Sequence, residues 1–172
     1  MTSLNAMFEI SDGRALLVLS GPSGVGKDAV VERIKTLHPH VHCAVTATTR
    51  APRPDETDGA SYFFLSKEQF QLMLDKNQFL EHAVVYGHQY GVLADPIKNA
   101  LAADFDVVVK TDVQGAWTIR QRVPRAILVF LLPPSLTELE RRLRQRSTES
   151  DQQLAVRIQK SEQVLEQATW FD

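Results

Sequence analysis

Cysteine is almost missing from this chain: Cys43 is the single one, so neither a disulfide within the chain nor a thiolate metal cluster is possible. It sits in the apolar-leaning run Val41 to Val45, which reads as a small buried hydrophobe rather than a nucleophile. Charge of one sign is also lacking. Nineteen Lys and Arg against 21 Asp and Glu leave a net −2 at pH 7, with a pI near 6.2. No broad basic surface follows, which argues against sequence-independent nucleic-acid binding. No apolar stretch approaches membrane-spanning length, and Met1 to Arg14 scatters Asn5, Glu9, Asp12 and Arg14 among few apolar residues. Neither a membrane partner nor a targeting segment is read from this, and a cytoplasmic location is expected. Repeats, low-complexity tracts and linkers are absent too. What is present, 172 residues of which 44% are hydrophobic and 23% charged, suits one compact domain over 1–172 with a full core.

The apolar runs are short and regularly spaced. Ala15 to Ser20, ending at Gly21, reads as a strand buried on both faces of a parallel sheet, followed by a helix over Lys27 to Leu37. Val41 to Thr46 reads as a second strand, and the proline- and charge-rich stretch Thr48 to Ser61 as a surface loop of functional length. A short strand over Tyr62 to Leu65 precedes Ser66 and Gln69, whose spacing predicts a capping box opening a helix through Lys76. Leu80 to Val85 is strand-like, Asp95 to Ala103 helical, Phe105 to Thr111 a strand and Gln114 to Val123 a helix. Ala126 to Leu132 is a strand stopped by Pro133 and Pro134, Ser135 with Glu138 caps a helix running towards Arg146, and Gln152 to Trp170 closes the chain as a helix. Such alternation implies an α/β fold, a parallel sheet flanked by helices, with ligands at the C-terminal strand ends.

Between the first strand and first helix stands Gly21-Pro22-Ser23-Gly24-Val25-Gly26-Lys27, the spacing of a Walker A loop. The glycines let successive N–H groups turn inward as an anion nest, the helix N-terminus adds its positive dipole end, and Lys27 supplies a mobile charge for β- and γ-phosphates. Gly21 to Asp28 is therefore the candidate ATP site. Ser or Thr normally follows the lysine to ligate Mg²⁺; here Asp28 stands there and is the candidate metal ligand.

Thr48-Thr49-Arg50-Ala51-Pro52-Arg53-Pro54-Asp55-Glu56, followed by Gly59, Tyr62, Phe64 and Ser66, places two arginines three apart on a proline-stiffened loop, an arrangement that suits a monoester phosphate. Here, and in Phe79-Leu80-Glu81-His82 with Tyr86 to Val92, the chain resembles guanylate kinase. The resemblance runs from about Leu16 to Asp172. It implies a P-loop NTPase fold with a core over about 14–46 and 95–172, a nucleoside monophosphate-binding insertion over about 47–94 and a helical lid over about 142–157. It further implies ATP and GMP as substrates, Mg²⁺ entering as ATP·Mg²⁺, and a monomer or homodimer. Arg50, Arg53, Tyr62 and Tyr90 match the residues that hold the GMP phosphate, and Thr46 and Asp112 join them on the nucleoside side. Glu81 matches the base reader: a carboxylate accepts from both N1–H and the exocyclic amine of guanine, while adenine has no donor at N1. The family carries Ser or Thr where Val92 stands. His82 and His88 fit no metal spacing and read as structural, and Trp117 and Trp170 as packing residues.

Val107-Val108-Val109-Lys110-Thr111-Asp112-Val113-Gln114-Gly115 resembles the family strand end of acid, apolar residue, Asp and Val-Gln-Gly, with Lys110 in place of the first acid. Arg142, Arg146 and Arg157 match the lid arginines that close over the transferring phosphoryl group. The resemblance implies in-line transfer from ATP to GMP, with Lys27 and these arginines as the catalytic set. Two other readings stand beside it. A ribose 1,5-bisphosphate phosphokinase-like enzyme shares Asp28 and Val92, and guanylate-kinase-like interaction modules share the fold but degrade the P-loop. Family members also continue beyond the position of Asp172. Because Asp28 and Lys110 depart together, a carboxylate–ammonium pair between the P-loop helix and the central strand end is expected; direct ligation of Mg²⁺ by Asp28 is the competing account.

Overall fold

A computed structural model describes Phe8, Ile10 and residues 13–146 and 151–172. In chain order these form β1 (Leu16–Ser20), α1 (Lys27–Leu37), β2 (Val41–Cys43), β3 (Thr46–Thr48), β4 (Phe63–Phe64), α2 (Lys67–Asp75), β5 (Phe79–Val85) and β6 (His88–Leu93). Then come α3 (Ala94–Ala102), β7 (Asp106–Lys110), α4 (Val113–Arg122), β8 (Ile127–Phe130), α5 (Leu136–Arg146), α6 (Asp151–Leu165) and a 3₁₀ turn over Glu166–Trp170.

The strands make two sheets. The first, ordered β2-β7-β1-β8, is parallel throughout. Alternation in β7 sends Val107 and Val109 to a core shared with Leu16, Val18, Ile97, Leu101 and Ile119, while Val108 packs with Leu19 and Val31 on the opposite face. Each such fully buried aliphatic side chain contributes about 1.5–3 kcal/mol relative to exposure, and the doubled burial is why the strand reads as an uninterrupted valine run. Cys43 packs half-buried in the Val31 cluster, where burial pushes its thiol up from its ordinary value. No helix among the described residues is long and apolar enough to cross a membrane.

The second sheet, β4-β3-β6-β5, is mixed, with β6 antiparallel to both β3 and β5. Two sequence expectations change here. Val41 to Thr46 is not one strand: Cys43 pairs with Val108 in the first sheet, whereas Thr46 pairs with Val92 in the second, so the chain crosses between sheets at Ala44 and Val45. His88–Leu93, not anticipated as a strand, is β6, reached through a tight turn in which Tyr86 has φ 50° and Gly87 φ 79°. Its alternating polar and small residues, His88, Gln89, Tyr90 and Gly91, hide the pattern a strand normally shows. The capping box of α2 is present in full, and the Ser135 hydroxyl accepts from the Glu138 N–H at 3.1 Å as the sequence predicts. The final helix is shorter than expected, ending at Leu165 before tightening into the 3₁₀ turn. Phe171 then packs edge-on against Phe130, ring centroids 5.0 Å apart, and the Asp172 N–H bonds Leu128 alongside β8.

Candidate active site

At the C-terminal end of β1 the chain turns through the glycine loop into α1. Gly24 and Gly26 take φ 80° and 113°, a left-handed region that side chains with a Cβ rarely adopt. Lys27 Nζ donates to the Gly21 and Pro22 carbonyls at 2.6 and 3.1 Å, so the ammonium lies over its own loop. Beside it, Lys110 from the end of β7 reaches Asp28 Oδ1 at 2.6 Å, and the expected carboxylate–ammonium pair is present. The Lys110 ammonium also approaches the Ser61 carbonyl at 3.4 Å and lies 4.1 Å from the centroid of the Tyr62 ring. It thus touches both the phosphate loop and the stretch leading into β4.

The proline-stiffened loop is organised by a carboxylate. Glu56 accepts from Arg50 Nη2 at 2.7 and 2.8 Å through its two oxygens, and it also accepts from the backbone N–H of Arg53 at 2.8 Å. Burial opposes the Arg50 charge, yet hydrogen bonds with Glu56 and Tyr90 hold the guanidinium above its ordinary value. Arg50 lies 5.5 Å from the Tyr62 ring, and Tyr62 and Tyr90 meet edge to face at 6.2 Å. Burial, reinforced by Asp28, pushes the Tyr62 phenol upward, so the ring faces the site as a neutral hydroxyl.

Glu81 is 2% exposed, on β5. Its Oε1 accepts from Thr111 Oγ1 at 2.7 Å, while Oε2 has no hydrogen-bond partner among the described residues. Burial is the main cause that lifts this carboxyl to about 7. Asp112 caps α4, its Oδ1 accepting from the Gly115 N–H at 2.8 Å. Burial raises its carboxyl as well, opposed by that N–H and by Lys27.

On the far side, α5 and α6 pack on the phosphate loop. Val25 clusters with Leu139 and Leu143, Arg142 Nη1 donates to the Val25 carbonyl at 2.8 Å, and Arg157 Nη2 donates to Ser23 Oγ at 2.8 Å. Arg142 Nε is also bound to Glu138 at 2.7 Å. The cations of Arg157 and Lys160 stand 5.4 and 5.0 Å from the ring of Tyr86, at the tip of the β5–β6 hairpin.

These parts enclose one cavity of about 1080 Å³. Gly21 through Asp28, Thr46, Arg50, Arg53, Tyr62, Glu81, Tyr90, Asp112 and Arg157 all line it. Arg142 does not; it sits beneath the loop, its Nη1 3.7 Å from where a Cβ on Gly26 would stand. The side chain of Arg146 lies outside the described residues. Lys110, Thr111 and His88 line the cavity too, and of these the sequence singles out only Lys110, by its departure from pattern. Glu56, which the sequence shows only as part of the loop motif, holds both arginines. His82 is exposed, and Trp117 and Trp170 lie half-exposed against each other, ring centroids 5.9 Å apart. Among the described residues no group of three or more His, Cys, Asp or Glu side chains gathers as a metal cage.

Comparison with known proteins gives a consistent result. The guanylate kinase family profile matches residues 13–172. A guanylate kinase of Frankia casuarinae is 45% identical over 157 residues, covering 91% of this chain and 85% of that protein. One from Desulfitobacterium hafniense is 40% identical over 157 residues, 91% of this chain and 78% of its own. In three dimensions, the crystal structure of guanylate kinase from Anaplasma phagocytophilum superposes with a TM-score of 0.75 at 27% identity, covering 92% of this chain and 74% of that one.

Proposed function

This chain belongs to the guanylate kinase family and phosphorylates GMP to GDP with ATP; from that premise we propose how its own residues divide the work. Residues 21–28 hold the donor triphosphate, 47–94 form the region that takes the monophosphate, and 142–157 form the lid. The observation that carries this reading is the continuity of the cavity. The Gly21–Asp28 loop, Arg50, Arg53, Tyr62, Tyr90 and Glu81 face one space, so donor and acceptor phosphates can meet within a single cleft.

The nucleophile of the reaction, an oxygen of the GMP phosphate, is already anionic, and positioning with charge neutralisation does the work that a strong base would otherwise do. Lys27 leaves the Gly21 and Pro22 carbonyls for the β- and γ-phosphates, which are stronger acceptors. Arg50 and Arg53, held in register by Glu56, receive the acceptor phosphate together with the Tyr62 and Tyr90 hydroxyls. Thr46 and Asp112 border the nucleoside, and Glu81 reads the base. Arg157, reaching from α6 to Ser23, stands where charge would spread over the transferring oxygens; Arg142, held beneath the loop by the Val25 carbonyl and Glu138, would join it with Arg146 only on lid closure.

Mg²⁺ accompanies ATP in this chemistry, and the donor set fits an ion carried in by phosphates: hard carboxylate oxygen is present at Asp28, and a full protein cage is not required. Because Asp28 is paired with Lys110 at 2.6 Å, the ion would be held chiefly by the phosphate oxygens, with Asp28 adding at most one oxygen beside that pair, and it would neutralise charge at the β/γ-phosphates. The reading is completed by a cytoplasmic location, a monomer or homodimer, and no nucleic-acid or membrane partner. A coupled ADP-release assay with ATP against GMP, AMP and ribose 1,5-bisphosphate tests it. GMP is the expected acceptor, and equal turnover of AMP or preference for the base-free sugar overturns the assignment of Glu81.

A further inference from the structure

We propose that Thr111 is a specificity-determining positioning residue: its hydroxyl fixes the Glu81 carboxylate so that one oxygen is engaged inside the protein and the other is presented to donors on the purine edge. The inference rests on the reading of Glu81 as base reader and goes beyond it. Thr111 follows β7 directly, its own N–H tied to the Leu19 carbonyl at 3.1 Å, so its backbone is anchored to the central sheet. From there its Oγ1 meets Glu81 Oε1, thirty positions away, at 2.7 Å.

The surroundings leave no substitute. Val92 is the register partner of Glu81 across the hairpin and is buried, with no hydroxyl to offer. Above the pair lies Gly115 in the first turn of α4. A Cβ there would come 2.6 Å from Glu81 Oε2 and would collide with Thr111 Oγ1. The pair therefore fits only because α4, pinned through the Asp112 cap, brings a bare backbone against it. An orphaned buried carboxylate oxygen costs about 1–3 kcal/mol, and more when charged. Glu81 lines the ligand cavity, so a ligand donor that reaches this oxygen removes the cost.

Ionisation matters because only the carboxylate accepts from both donors of guanine; a protonated acid turns one oxygen into a donor. The charged groups acting on Glu81 are Asp112 at the start of α4, which pushes its carboxyl up, and Arg122 in the last turn of α4, which pulls it down. Arg122 is held there by the Phe79 and Leu80 carbonyls. From β6, Val92 adds no charge, and from the end of β7 the Thr111 hydroxyl favours the anion. Burial outweighs both lowering influences. Removing the hydroxyl therefore moves Glu81 further towards the neutral acid and lets it swing.

The experiment is GMP and IMP binding by calorimetry between about pH 6 and 9, with steady-state kinetics, for the parent, Thr111→Val, Thr111→Ser and Glu81→Gln. IMP keeps the N1–H and lacks the exocyclic amine. Thr111→Val is expected to raise KM for GMP about ten-fold with kcat nearly unchanged, the loss of one hydrogen bond to a charged group. It should also narrow the GMP-to-IMP preference and move the pH midpoint of GMP binding upward, with Thr111→Ser restoring all three. An unchanged midpoint and preference in Thr111→Val, with only a lower melting temperature, reduces Thr111 to packing and overturns the proposal. If Glu81→Gln also leaves the preference intact, the base-reader assignment itself falls. If Glu81→Gln abolishes it and Thr111→Val does not, only the role of Thr111 falls.

Discussion

The donor loop draws its groups from one run, Gly21 to Asp28, and much of what it offers is backbone. The proposed acceptor side gathers Glu81 and Tyr90 from β5 and β6 and Arg50, Arg53 and Tyr62 from the loop between β3 and β4, and all of it is side chain. The first is cheap to assemble, because a strand, a turn and a helix arriving in order place every N–H at once. The second needs a sheet to bring distant positions together, and needs carboxylates to keep them apart in orientation: Glu56 for the arginines and, through Thr111, the Glu81 oxygens. On the proposed division, phosphate charge is met generically on one side and a particular nucleotide is chosen on the other.

The sharpest way to separate the two sides is Lys27→Ala. It should lower kcat by about 10²–10³-fold, as loss of a charge-stabilising donor does, while calorimetric GMP affinity stays within about two-fold. Near-normal turnover would break the donor assignment, and a parallel loss of GMP affinity would break the separation itself.

Next in size is Glu81→Gln, which acts on the acceptor side alone. GMP-over-AMP selectivity in kcat/KM should fall by about 1.5–3 kcal/mol, the worth of a hydrogen bond to a charged group, with ATP affinity unchanged. The same variant makes a stability prediction of definite sign. The folded state holds the Glu81 proton up to about pH 7, whereas an unhindered carboxyl titrates near 4.5. A raised folded value contributes stability that is complete below the lower of these and lost as pH rises through the higher. Glu81→Gln therefore melts above the parent at pH 8, by up to a few kcal/mol, and the gap closes towards pH 4 when melting is followed by calorimetry. A gap that widens on acidification means the carboxyl is not raised.

The smallest effect belongs to the seam between the two sides. Asp28→Ser and Lys110→Ala, alone and combined, should couple by about 0.5–3 kcal/mol in ATP affinity at low Mg²⁺. Lys110→Ala alone should be the worse single change, because it leaves a carboxylate beside the phosphates. Independent, additive responses to Mg²⁺ would show that the 2.6 Å pair has no bearing on nucleotide binding.

How far the sequence alone could reach follows the same division. Gly21 to Lys27 was readable because the motif is contiguous, and the Asp28–Lys110 pair because two departures from pattern cancelled in charge. The parallel core announced itself through runs such as Val107 to Val109. On the acceptor side β6 was missed, since Gly91 and the polar residues before it mask the alternation. The break of Val41 to Thr46 at Ala44 was missed too, since nothing local marks a chain changing sheets. Thr111 was invisible as a partner of Glu81 because one stands on β5 and the other beyond β7, and only packing sets their distance. The short 3₁₀ finish reflects contacts such as Trp117 with Trp170, which override a helical pattern continuing to the end.

Glu56 has a consequence for what the cleft refuses. Two guanidinium groups that share one carboxylate carry a net single positive charge between them, so this loop already has its counterion before any ligand arrives. Small free anions such as phosphate or sulfate must compete with an ion pair whose Arg50 and Glu56 side chains are only 13% and 11% exposed. Such anions bring nothing else to offset the exchange. On the proposed reading a nucleotide brings a base to Glu81 as well, and it would be admitted on the sum of the two contacts. On that reading the internal carboxylate would set a threshold against the commonest small anions in solution.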